Sequence, residues 1–176
     1  MQLRRRSEAA QSVATDSVRT FVATLIAASV VLPMPAYAAD ISDLPTPLQE
    51  KVNQAQQACT DFEGGEFALE WGAITRVDLD GDLQLDWALD EMFFACSSAV
   101  SLYCGTGGCM SHFLIGDVLS SLLNNGWDVV DLGPDRVLLT DVHGSQCGGI
   151  NPTPCIVASI WGKEEKKWQT TGAAWE

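Results

Sequence analysis

Basic residues are scarce in this chain. Ten Lys and Arg stand against 23 Asp and Glu, a formal net charge of −13 over 176 residues. Binding to phosphate polymers is driven by counterion release at clustered Lys and Arg, so the charge balance argues against nucleic acid and anionic lipid as partners. Cations and basic surfaces are the partners that such a surface favours. No CxxC pair occurs, and the six cysteines sit among glycines as loop closures do, which argues against a zinc site. At periods of about 20 to 50 residues only one copy of an acidic motif is found, and four blades of about 40 residues would exceed the length left after the first 38 residues, so a multi-blade propeller does not fit. Beyond the first 38 residues no apolar run is long enough to span a membrane.

Those first residues have their own pattern. Arg4, Arg5, Arg6 and Arg19 precede the apolar run VATLIAASVVLP and the small-residue signature Ala36-Tyr37-Ala38. This is the order of a secretory signal peptide, residues 1–38, cleaved after Ala38. Pro33 and Pro35 interrupt the run before the roughly 18 residues that a membrane anchor needs. The chain of 176 residues less these 38 leaves 138, from Ala39 to Glu176, enough for one domain with a core. The leader carries four basic and two acidic residues, so its loss moves the net charge from −13 to −15. The destination is the periplasm or the medium.

All six cysteines follow the leader: Cys59, Cys96, Cys104, Cys109, Cys147 and Cys155. An even count in an exported chain predicts three disulfides. Short loops favour Cys104–Cys109 across GTGG and Cys147–Cys155 across GGINPTP, which leaves Cys59 with Cys96.

A short segment, 39–46, leads into one β-rich domain, 47–176. Thr46 as N-cap, Pro47 in the first turn and Gln49 completing a T-x-x-Q capping box open a helix over 47–59. Leu48, Val52, Ala55 and Cys59 recur along it at helical spacing. From Phe67 onward, glycine, Asp-Gly and Asn-Gly punctuation separates runs of strand length. Strands are predicted near 67–71, 73–79, 84–94, 99–104, 109–115, 127–132, 136–142, 155–161 and 167–171. Val129 to Leu139 reads as one hairpin, and IVASIWGKEEKKWQTT as another. Segment 117–125 fits a helical turn or a strand. The fold class is mainly β, an antiparallel sheet or small sandwich with one N-terminal α-helix, stapled by disulfides.

The stretch VDLDGDLQLDW, residues 77–87, holds the densest acidic pattern. One reading is a tight hairpin turning on Asp80-Gly81-Asp82, with Leu79 facing Leu83, Val77 facing Leu85 and Arg76 facing Asp86. The other begins from repulsion, because Asp78, Asp80 and Asp82 crowd carboxylates that a cation would neutralise. Calcium takes about six to eight oxygens, and loops that wrap it supply side chains at positions 1, 3, 5 and 9 and a backbone carbonyl at 7. Counted from Asp78, these are Asp80, Asp82, Asp86 and the carbonyl of Gln84. DLDGDLQLDWAL is similar to the D-x-D-G-D-G-x-x-D loop of FG-GAP or VCBS-like repeats, the integrin α-chain type of calcium loop. The resemblance implies calcium held by Asp78, Asp80, Asp82 and Asp86 through side chains and by Gln84 through its carbonyl. At position 6 the family has glycine and this chain has Leu83, at a steric cost of about 1 kcal/mol if φ is positive. More loosely, the order of Ala58-Cys59, this loop, Cys104 to Cys109, His143 to Gly148 and a terminal Trp-bearing strand resembles small exported bacterial proteins of unknown function.

His143-Gly144-Ser145-Gln146-Cys147, with Asp141 nearby, offers a hydrolase reading, but catalytic sets usually assemble from distant segments and a disulfide removes Cys147 as nucleophile. His112, alternating within its strand, reads as structural or surface. Of the six tryptophans, Trp168 and Trp175 are expected to be the most exposed. The function expected is an exported, non-catalytic binding or interaction domain with one structural calcium, its partner a protein or small ligand. The alternatives are an inhibitor or immunity-like protein that covers a basic enzyme surface, and a hydrolase using His143 with an acidic partner.

Overall fold

The computed structural model describes residues 41–170. The expected leader, the two residues that follow it and Trp175 lie outside the described residues. The fold is mainly β with one α-helix and three disulfides.

Helix α1, Thr46–Asp61, buries Leu48, Val52, Ala55 and Cys59, the face that its spacing predicts. Its start differs from the expected capping box. Pro45 takes the extended cap conformation, φ −57° and ψ 145°, and its carbonyl accepts from Leu48 N at 2.9 Å and Gln49 N at 3.0 Å. Thr46 is already helical and caps nothing, while Gln49 Nε2 donates backwards to the carbonyls of Leu44 at 2.7 Å and Ser42 at 3.2 Å. The proline supplies the extended residue that a threonine cap would otherwise provide.

Eleven strands follow: β1 (Phe67–Leu69), β2 (Ile74–Val77), β3 (Asp86–Asp90), β4 (Phe94–Cys96), β5 (Cys104–Gly105), β6 (Gly108–Ile115), β7 (Val118–Asn124), β8 (Gly126–Leu132), β9 (Asp135–Asp141), β10 (Ile156–Gly162) and β11 (Lys167–Thr170). Every pairing is antiparallel. One sheet runs β2-β3-β6-β5, with β7 on the other side of β6; a second runs β11-β10-β9-β8; and β1 pairs with β4. Both expected hairpins form, β8 with β9 and β10 with β11.

Two strand predictions need correction, and one open segment is resolved. The run 84–94 is not one strand: Asp90 ends β3 by accepting from Met92 N at 2.9 Å, which caps a 3-10 turn at Glu91–Phe93 and sends the chain into the β1–β4 pair. Only Cys104 of 99–104 is strand, the first residue of β5, because a turn from Cys96 O to Ala99 N leads through a fully exposed Val100 with nothing to pair against. Segment 117–125 resolves to β7, a hairpin partner of β6 across Gly116-Asp117.

Two cores lie on opposite faces of the β2-β3-β6-β7 sheet. Leu89 and Leu114 pack with Leu48, Val52, Ala73 and Phe94 beneath α1. Their neighbours along the strands, Ala88, Phe113 and Ile115, pack the other way with Leu79, Leu138 and Trp161 against the second sheet. The alternation of β3 and β6 thus feeds both cores, as a strand buried on two faces must. Cys59–Cys96 ties the end of α1 to β4, Cys104–Cys109 clips β5 to β6, and Cys147–Cys155 closes the loop before β10.

Candidate metal centre

The acidic loop joins β2 to β3, and its register differs from the tight hairpin. Val77 pairs with Asp86 and Arg76 with Trp87, which leaves residues 78–85 as a wide loop. Arg76 does not face Asp86: its guanidinium lies 3.9 Å from the centroid of the Trp87 ring, and its Nε donates to the Asp86 carbonyl at 3.0 Å. Stacking on an indole while capping two loop carbonyls serves the planar guanidinium better than a single exposed ion pair.

Leu79 enters the core between the sheets at 1% exposure, whereas Leu83 stands 92% exposed with φ +68°. The two leucines therefore do not face one another. Between them the backbone amides turn toward the carboxylates. Gly81 N donates to Asp78 Oδ1 at 2.7 Å and Leu83 N to Asp78 Oδ2 at 3.1 Å. Asp82 N donates to Asp80 Oδ1 at 3.0 Å, and Leu79 N to Asp86 Oδ2 at 2.9 Å.

This folding brings one carboxylate oxygen each of Asp78, Asp80 and Asp86 within 4.8 Å of one another. Asp78 and Asp86 are buried. Asp82 stands apart from that group and is exposed, accepting from Gln84 N at 2.7 Å and from Gln84 Nε2 at 3.0 Å. With Asp80 and Asp86 it lines a cavity of about 210 Å³ that also touches Asp117, Trp161, Lys163 and Lys166. Burial pushes the Asp86 carboxyl above the usual carboxylate range; the bond from Leu79 N opposes this, and the charges of Asp80 and Asp82 add to it. Arg136 approaches from β9, but its Nε donates to the Asp78 carbonyl at 2.8 Å and its charge pairs with Asp131. The donor set is oxygen throughout, which suits a hard divalent cation and not zinc or copper.

The His143 segment is a local turn. Its Nδ1 lies 2.7 Å from Ser145 Oγ and accepts from Ser145 N at 3.2 Å, capping a 3-10 turn at Gly144–Cys147. Cys147 is bonded to Cys155, and among the described residues no hydrogen bond joins His143 to Asp141. Comparison with known protein families, with curated proteins and with solved structures finds no match.

Two arrangements escape a reading of the sequence. His112 is buried, its Nδ1 2.6 Å from Ser121 Oγ and its Nε2 2.8 Å from Glu91 Oε1. Glu91 is 21 positions away in sequence, and no local spacing announces it. Among the described residues the exposed tryptophan is Trp71, at 93%, rather than Trp168. Trp168 packs edge-on against Trp161 and Phe113 and donates to Ser120 Oγ at 2.9 Å.

Proposed function

We propose that the chain is an exported, non-catalytic binding domain whose loop 78–85 is organised around one structural calcium ion. Asp78, Asp80 and Asp86 supply the inner carboxylates, and Asp82 and the Gln84 carbonyl complete the set in the liganded loop. The observation that carries this reading is Leu83, an apolar side chain held in solvent on a left-handed backbone so that its amide can reach Asp78. That conformation costs about 1 kcal/mol, and converging carboxylates cost more; a cation offsets both. Calcium fits better than magnesium, which keeps its waters and demands near-ideal octahedral geometry. Three disulfides favour an oxidising compartment, and no helix among the described residues is long and apolar enough to cross a membrane.

The test is calorimetric titration with calcium, together with melting in millimolar calcium and in chelator. Ligand at about 100 times its Kd stabilises the fold by about 2.7 kcal/mol, and D80N should lose most of that gain. A melting temperature indifferent to calcium, with no heat of binding, would leave loop 78–85 as an acidic turn without an ion.

A further inference from the structure

A second concave site lies away from the acidic loop, where edge strand β2 approaches the start of β8. It is a cleft of about 470 Å³ whose walls include Trp71, Phe93 and Trp127, with Met92, Asp90 and Asp128. The volume is within the usual range for small-molecule sites.

Two of the three aromatic walls, Trp127 and Phe93, are fixed before any ligand arrives. Trp127 donates from Nε1 to Asp90 Oδ2 at 3.1 Å and packs edge-on against Phe113, with centroids 5.2 Å apart. Phe93 lies against Gly72, where an added Cβ would come within 3.2 Å of the ring, and Gly72 holds φ +102° in the left-handed region. The turn closed by Ala73 N to the Glu70 carbonyl then leaves Trp71 almost wholly in solvent at the lip.

The charge of the cleft selects among ligands. Its titratable lining groups are Asp90 and Asp128, and no Lys or Arg lines it. Arg76, between the lining residues Thr75 and Val77, is directed to the other face of the sheet, where it stacks on Trp87. A neutral polyol could donate its hydroxyls to Asp90 and Asp128 but would leave their charge uncompensated, and with the Trp127 indole N–H committed to Asp90 the lining side-chain donors left for its oxygens are the hydroxyl of Thr75 and the indole N–H of Trp71 at the lip. An anion would meet two carboxylates. An organic cation is matched by what lines the cleft, aromatic rings and negative charge.

We infer that this cleft binds a small quaternary ammonium compound, its cationic head seated between Trp127, Phe93 and Trp71 with Asp128 as the counter-charge. Asp90 acts through Trp127 by holding the indole edge. The lining of this cleft includes none of the proposed calcium ligands.

Choline and its uncharged isostere 3,3-dimethylbutan-1-ol separate charge recognition from burial of a trimethyl group of the same shape. Titration of the full exported chain, followed by tryptophan fluorescence and calorimetry, should show saturable choline binding at least ten-fold tighter than that of the isostere. W71A should weaken choline at least ten-fold with its melting temperature unchanged, since the side chain is exposed, and D128N should weaken it and flatten its salt dependence. Equal affinity for the isostere would overturn the inference in favour of a merely apolar groove. Binding of cellobiose in place of choline would make the cleft a saccharide site, and binding only of a trimethyl-lysine peptide would make it a protein-docking site; either result overturns it. No binding of choline at millimolar concentration, with the wild-type melting temperature intact, would also overturn it.

Discussion

The amide of Leu83 donates to Oδ2 of Asp78 at 3.1 Å, five positions back along the chain, while the leucine side chain makes no use of the core that Leu79 occupies. Leu83 contributes its backbone and not its side chain. L83G should therefore stabilise the fold by up to about 0.5 kcal/mol, as relief of about 1 kcal/mol of left-handed strain slightly exceeds the cost of glycine's added freedom in the unfolded chain. Urea denaturation with and without calcium checks this; a loss of stability would mean that the side chain packs.

The three disulfides close loops of different length. The entropy removed from the unfolded chain grows with the logarithm of loop length, so the bridge at separation 37, Cys59–Cys96, is worth about 4 kcal/mol and that at separation 5, Cys104–Cys109, about 2. Paired Cys→Ala variants, compared by denaturant midpoint, should fall in that order.

Tyr103 donates from its hydroxyl to the Ala55 carbonyl at 2.8 Å and so fastens the segment just before β5 to α1. Burial, and secondarily the charge of Glu91, hold its phenol above the ordinary value of 10.0. A group whose folded-state pKa is raised keeps its full stabilising contribution below the unfolded value and loses it as pH rises through the folded one. Stability should thus decline above about pH 10, and Y103F should flatten that decline. In the chain cut after Ala38, Tyr103 is the lone tyrosine, so absorbance near the phenolate band reads its titration directly.

His112 satisfies both ring nitrogens inside the fold, one at Ser121 and one at Glu91. H112A leaves Ser121 and Glu91 without the imidazole and opens a void, and should destabilise by about 2–4 kcal/mol. E91Q keeps a hydrogen-bonding group in place and should cost less. Thermal melts of the two variants at neutral pH give the comparison.

What the sequence made legible was whatever depended on near neighbours. The spacing of Leu48, Val52, Ala55 and Cys59 identified the buried face of α1, and Gly133-Pro134 and the charged Glu164 to Lys167 marked two hairpins. β7 was ambiguous because Leu119 packs under α1 while Leu122 packs toward the second sheet, so no single face carries the apolar residues. The acidic loop kept two readings open because both preserve alternation through Val77, Leu79 and Leu85. The register that excludes the tight hairpin, with Arg76 meeting Trp87 across the strands, shows only once β3 is docked. The cleft was invisible for a related reason: Trp71, Phe93 and Trp127 come from three separate segments.

β6 belongs to both cores, sending Leu114 toward α1 and Phe113 and Ile115 toward the second sheet. Neither layer can peel away without uncovering a strand that the other layer also depends on. The molecule should therefore open as one cooperative unit, and the central amides of β6 should exchange with solvent hydrogen only at the rate set by global unfolding.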